Sequence, residues 1–226
     1  VSFPRLLEAA DSASVVVWAD AMYEPGSLSP CAIGFVVWLP PGHPGATASG
    51  GSFVWGQASV DASSLLDEGE SLPLQLIGRA ELLAAAAVYS SLPAAWLEGR
   101  HVIHFVDNTS ALYGLVKGDS RVPMSPSIIA AVHTAALRCD LQLWFNYVAS
   151  KANIADLPSR GALAEMAALL ARFQPSFSLA EAEVPVVLPD LGGGWGAVLE
   201  PGRRGHRAAP RPTRHFAATP PASKSK

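Results

Sequence analysis

Apolar residues cluster first into strand-length runs and later into helical stripes. Residues 14–20, ending Val15-Val16-Val17-Trp18-Ala19-Asp20, predict a buried strand. Cys31 to Leu39, with Ile33, Phe35, Val36, Val37 and Trp38, predicts a second, and Gly51 to Ala58 a third. The turn formers Pro40-Pro41-Gly42 and Gly50-Gly51 lie between those two, as successive hairpins require. An acidic stretch with Asp61, Asp67, Glu68 and Glu70 reads as a solvated loop. Leu76 to Ser91 then predicts a helix dominated by Ala and Leu. Ile77, Glu81, Leu82, Ala85 and Val88 share one of its faces, which sets Glu81 beside the buried stripe.

Pro93 and Gly99 interrupt the chain before a fourth strand, 101–107, whose apolar run Val102 to Val106 closes on Asp107. Asn108 or Thr109 caps a short helix that Gly118 ends. Pro126 to Cys139 predicts an amphipathic helix carrying Ile128, Ile129, Val132, Ala136 and Leu137. A fifth strand, Leu141 to Val148, alternates Leu141, Leu143, Phe145 and Tyr147 on one face. Asp156-Leu157-Pro158 opens a final helix reaching about Phe173, with Pro158 in the first turn. Three strands, helix, strand, helices, strand, helix is an α/β order. It implies a five-stranded mixed sheet flanked by helices, its first three strands antiparallel and its crossovers parallel.

Composition narrows the class. At 226 residues and 50% hydrophobic, the chain can bury a full core, so one domain over 1–175 and a tail over 176–226 is the simplest division. The longest apolar candidate for a membrane span, Leu82 to Leu97, is broken by Ser90-Ser91 and Pro93, so no membrane association is expected. No signal-peptide pattern is read, and Val1 in place of Met suggests a piece of a longer polypeptide. Cys31 and Cys139 are too few for a disulfide framework and read as reduced core thiols of an intracellular protein.

The net charge of −3 is unevenly spread. Residues 1–175 hold nine Lys and Arg against fifteen Asp and Glu, whereas residues 176–226 hold seven against four. From Pro201 onward the only charges are Arg203, Arg204, Arg207, Arg211, Arg214, Lys224 and Lys226, set among Pro, Ala and Ser. That composition reads either as a disordered linker or as an electrostatic tether for nucleic acid. Gly192-Gly193-Gly194 lacks a flanking strand and helix, so it reads as a hinge rather than a phosphate loop.

Four acids stand out: Asp20 and Asp107 at strand ends, Glu81 on a helix and Asp156 at a helix start. A buried carboxylate costs several kcal/mol unless it is paired or metal-bound, so acids closing apolar runs point to chemistry. Each has a structural alternative. Asp20 could cap a turn before Glu24-Pro25-Gly26, Glu81 could face solvent, and Asp156 could be an N-cap.

Three segments carry a family resemblance: Ile77-Gly78-Arg79-Ala80-Glu81-Leu82-Leu83-Ala84, Val106-Asp107-Asn108-Thr109-Ser110-Ala111 with Lys117-Gly118, and Ser150 to Arg160. In this order, behind a strand ending in Asp20 and a strand carrying Gly34, the chain resembles the ribonuclease H domain over roughly residues 12–172. The versions carried by retroelement reverse transcriptases are the most similar. The resemblance implies that Asp20, Glu81, Asp107 and Asp156 are catalytic and hold two Mg²⁺ ions, with Mn²⁺ able to substitute. It implies that Asp20 and Asp107 support both metals, that Glu81 holds the leaving-group metal, and that Asp156 helps hold the metal delivering water. Two such ions about 3.5–4 Å apart activate a water and stabilise the leaving oxygen. Hard oxygen ligands suit Mg²⁺.

The implied reaction cuts the RNA strand of an RNA–DNA hybrid, leaving a 3′-hydroxyl and a 5′-phosphate, beside a reverse transcriptase domain in the same polypeptide. Asn108, Ser110, Lys117 and Arg160 are candidate contacts to the nucleic-acid backbone. Two features depart from the family. Asn146 to Ser150 contains no His before the last acid, and His104 and His133 read as core or surface residues. A basic protrusion for gripping the hybrid is not apparent either.

Other classes on similar folds fit less well. An exonuclease would want Asp-x-Glu on the first strand, where Ala21-Met22 follows Asp20, and an integrase would want a Glu where Leu141-Gln142-Leu143 stands. An actin-like ATPase would need Gly-rich phosphate loops within the core. The remaining rival is a catalytically silent module that binds or spaces within a larger polyprotein. Four mutually repelling acids count against it.

Overall fold

A computed structural model describes residues 14–24, 31–66 and 76–191. The acidic positions Asp67, Glu68 and Glu70, the Gly192-Gly193-Gly194 run and the basic tail lie outside the described residues. Five strands form one mixed sheet: β1 (Val15–Tyr23), β2 (Cys31–Leu39), β3 (Ser52–Ser59), β4 (His101–Val106) and β5 (Gln142–Tyr147), in the spatial order β3-β2-β1-β4-β5. The pairs β1–β2 and β2–β3 are antiparallel, while β1–β4 and β4–β5 are parallel. The expected sheet is present.

Alternation along the strands supplies both faces with apolar side chains. Val15, Val17, Ile33, Phe35 and Val37 face one core with helices α1 (Leu76–Ser91) and α3 (Ser125–Arg138). Ala80, Ala84 and Ala87 are fully buried in α1, so small side chains let that helix lie close to β1 and β2. Val16, Trp18, Val36, Phe53 and Phe105 face a second core, closed by Met166 and Leu170 of α4 (Leu163–Leu170). Between β4 and α3 runs α2 (Thr109–Lys117), where the Asn108 side chain accepts from the Ala111 amide at 3.0 Å as an N-cap. Gly118 ends it at φ +75°. On β5, Leu143 and Phe145 pack against the first core, and Tyr147 remains half exposed.

Two expectations need correction. Asp20 does not close its strand, because β1 continues to Tyr23, with Asp20 facing Gly34 of β2. The helix expected from Asp156 to Phe173 is broken. Asp156–Ser159 forms a single turn, Gly161 takes φ +70°, and α4 begins only at Leu163. A left-handed glycine closes the first turn because its missing Cβ removes the steric cost of that conformation.

Packing continues past residue 175. The Gln174 side chain accepts from the Phe53 amide at 2.8 Å, Trp55 Nε1 donates to the Leu179 carbonyl at 2.9 Å, and the Val184 amide donates to the Trp55 carbonyl at 2.7 Å. The Val187 amide then donates to Ser91 Oγ at 2.8 Å. The contacts to Phe53 and Trp55 cover β3, an edge strand that would otherwise present unpaired backbone groups.

Candidate metal centre

The strands make a fork. Strand β1 pairs with β4 only over Val15–Trp18 and Val102–Phe105, while its pairing with β2 continues to Tyr23. The ladder between the two parallel strands stops at Trp18 and Phe105, near their carboxyl ends, where α/β sheets commonly place ligands. Asp20 lies on one prong, and Asp107 follows the last residue of the other. Helix α1 crosses this end and delivers Glu81, which accepts a hydrogen bond from the Ala21 backbone. Carboxylate oxygens of Asp20, Glu81 and Asp107 lie within 4.8 Å of one another.

Burial and mutual repulsion set their electrostatics. Asp20 is 3% exposed and its carboxyl is pushed up to about 7, first by burial, with Asp107 and Asp156 adding repulsion. A hydrogen bond from Ser159 and the charge of Arg160 oppose the rise. Glu81 is 5% exposed and sits well above the usual carboxylate range, through burial first and then repulsion from Asp20 and Asp107. Its Oε2 is buried without a hydrogen-bond partner. Three clustered carboxylates, with an unpartnered buried oxygen on Glu81, fit a divalent cation such as Mg²⁺.

Asp156 stands apart from that group of three. It occupies the single turn beside Asp20, close enough to raise the pKa of Asp20, but its Oδ1 accepts from Arg160 Nε at 2.6 Å. Of the expected backbone contacts, Arg160 is exposed beside the centre and Asn108 is committed to capping α2. Ser110 is exposed in the first turn of α2. Lys117 lies at the far end of α2, roughly 10 Å along the helix from Ser110, and 3.8 Å from Asp119.

Neither histidine reaches the centre. The His104 ring is fully buried with its Nδ1 2.8 Å from Tyr89 Oη, and burial lowers its pKa to about 3. The His133 ring bonds the Leu115 carbonyl at 2.9 Å.

Sequence reasoning assigned no role to Asn153, Ser159 or Gly34, yet all three shape the site. Asn153 Nδ2 lies 3.3 Å from Asp20 Oδ1, and Ser159 Oγ donates to Asp20 Oδ2 at 2.5 Å. A Cβ on Gly34 would collide with the Ser159 backbone nitrogen. The sequence shows these residues as neighbours of Asp156 or as part of a strand. Their shared partner, more than 130 residues away from Asn153 and Ser159, is a tertiary fact.

No family model and no curated protein matches the chain. Among solved structures it is similar to ribonuclease H1 from Halobacterium salinarum NRC-1, at 17% identity and TM-score 0.48, covering 67% of this chain and 98% of that one. The N-terminal RNase H domain of a Mycobacterium tuberculosis protein, solved as a fusion with maltose-binding protein, gives 15% identity and TM-score 0.41, covering 66% and 97%. Prototype foamy virus protease-reverse transcriptase gives 9% and 0.34, covering 70% of this chain and 22% of that one. The strand order and directions described above are those of a five-stranded mixed sheet whose first three strands are antiparallel. The chain is similar to these ribonuclease H structures. Among the described residues, no helix is long and apolar enough to cross a membrane.

Proposed function

We propose that this chain is a divalent-metal-dependent endonuclease that hydrolyses the RNA strand of RNA–DNA hybrids, working inside the cell beside a reverse transcriptase domain of the same polypeptide. The observation that carries the reading is the convergence of Asp20, Glu81 and Asp107 in a strand fork, with Glu81 Oε2 buried and unpartnered. A buried carboxylate oxygen without a partner is costly, and a cation removes that cost.

Asp20, Glu81 and Asp107 would hold the metal, with Asp156 as the fourth ligand once it leaves Arg160. Bound Mg²⁺ supplies an activated water and stabilises the departing oxygen. Asp20 and Glu81 are themselves buried, so charge interactions they make are stronger than in water. Arg160, 59% exposed, offers its guanidinium to a phosphate of the nucleic acid. Its pair with Asp156 is an exposed i,i+4 contact, of a kind worth about 0.3–0.5 kcal/mol, so exchange is easy. Ser110, exposed in the first turn of α2, would donate to the same backbone. The implied products are a 3′-hydroxyl and a 5′-phosphate.

Incubation with Mg²⁺ and an end-labelled hybrid tests the reading. RNA-strand cleavage is expected, with duplex DNA spared, EDTA abolishing the reaction and Asp107→Asn reducing it below detection. Cleavage that survives Asp107→Asn, or none with either Mg²⁺ or Mn²⁺, overturns it. The latter result would leave a silent module.

A further inference from the structure

The turn carrying Asp156 also grips Asp20. Asn153 and Ser159 are 3% and 2% exposed, so their contacts are made away from water. Asn153 is fixed at three points: Nδ2 reaches the Ala19 carbonyl at 3.1 Å and Asp20 Oδ1 at 3.3 Å, and Oδ1 accepts from the Ala155 amide at 3.2 Å. Ser159 Oγ lies 2.5 Å from Asp20 Oδ2. Each carboxylate oxygen of Asp20 therefore has one protein donor and keeps acceptor capacity for another partner.

The backbone is arranged to permit this. Gly34 pairs with Asp20 across β1 and β2. A side chain there would collide with the Ser159 nitrogen and meet the Pro158 carbonyl carbon at 2.9 Å. Those are backbone atoms, which cannot swing aside as a side chain would. The absent Cβ is the space through which Ser159 reaches the carboxylate.

We propose that Asn153 and Ser159 are positioning residues for the metal centre, holding the Asp20 carboxylate in the orientation that shares a cation with Glu81 and Asp107. The inference rests on reading those three carboxylates as a metal centre. Without the two donors Asp20 can rotate about its side-chain bonds, and the cation must then order it at the moment of binding. Hydrogen-bond partners behind a metal ligand typically carry about 10–100-fold in affinity or activity.

Titration of the full chain with Mn²⁺ alone, following the free ion by electron paramagnetic resonance, reads affinity without catalysis. Ser159→Ala and Asn153→Ala are each expected to weaken Mn²⁺ binding by about tenfold or more, while Ser159→Thr, which keeps the hydroxyl, retains most of the affinity. Cooperative melting without metal confirms that each variant is folded. Unchanged Mn²⁺ affinity in both alanine variants overturns the proposal while leaving the metal centre intact. Equal losses in Ser159→Thr and Ser159→Ala assign the effect to packing and overturn it, as does failure of both alanine variants to fold. If the unaltered chain shows no Mn²⁺ binding that Asp107→Asn removes, the metal-centre reading falls and takes this proposal with it.

Discussion

Asp20 and Glu81 hold their protons more tightly in the folded chain than in the unfolded one, because burial and repulsion disfavour the charged forms. A carboxyl raised on folding contributes stability in full below its unfolded pKa, and that contribution is lost as pH climbs through the folded value, about 7 for Asp20. Metal-free protein is therefore expected to melt at lower temperature at pH 8 than at pH 5. At about 1.4 kcal/mol per pH unit of difference, the loss amounts to several kcal/mol at most. Melting curves in EDTA check this, and a higher melting temperature at pH 8 would contradict it. Arg160→Ala gives a second residue-scale expectation. Loss of one phosphate contact should weaken hybrid binding for all sequences alike and reduce the slope of log affinity against log salt by about one. An unchanged slope would remove Arg160 from the interface.

Among the elements, the contact between β2 and the Asp156–Ser159 turn limits what the site tolerates. Gly34→Ala drives a methyl into the Ser159 backbone, and overpacking of this kind costs about 1–3 kcal/mol. Nuclease activity should fall with it, since the same turn supplies Ser159 and Asp156. Gly78→Ala in α1 is the contrast. Nothing lies within 4 Å of the place its new methyl would take, and replacing a helical glycine gains about 0.5–1 kcal/mol. Denaturant unfolding of both variants checks the pair, and a stabilising Gly34→Ala would contradict the account.

The strands and α1 were legible because their apolar periodicity is local, and Asp107 was legible because it closes a long buried run. The extension of β1 past Asp20 was hidden, since Ala21-Met22-Tyr23 becomes a strand by pairing with Cys31–Ile33. The break at Gly161 was hidden too, because a glycine between apolar helical segments signals either tolerance or a stop. Asn153 and Ser159 carried no local mark of their function, as their partner Asp20 is distant in sequence.

The whole molecule raises the question of where the folding unit ends. Ending the chain after residue 175 would uncover β3 and strip Trp55 of its bonds to Leu179 and Val184. Ending it after 191 keeps them. The shorter form is expected to melt several degrees lower, whereas the longer one should match the full chain; equal melting temperatures would contradict the packing described. Removal of residues 201–226 should leave stability unchanged but weaken hybrid binding and flatten its salt dependence, because seven cations are lost. An unchanged salt slope would leave the tail as a linker only.

The central claim, that Asp20, Glu81 and Asp107 form a metal centre, can be tested without substrate by melting the unaltered chain and Asp107→Asn with and without Mg²⁺. A cation that binds only the folded state stabilises it by RT ln(1 + [L]/Kd), roughly 1.4 kcal/mol at ten times Kd. Asp107→Asn should melt higher than the unaltered chain without metal, because one repelling charge is gone, and should lose most of the Mg²⁺ increment. Lower metal-free stability in Asp107→Asn, with its response to Mg²⁺ undiminished, would contradict the account.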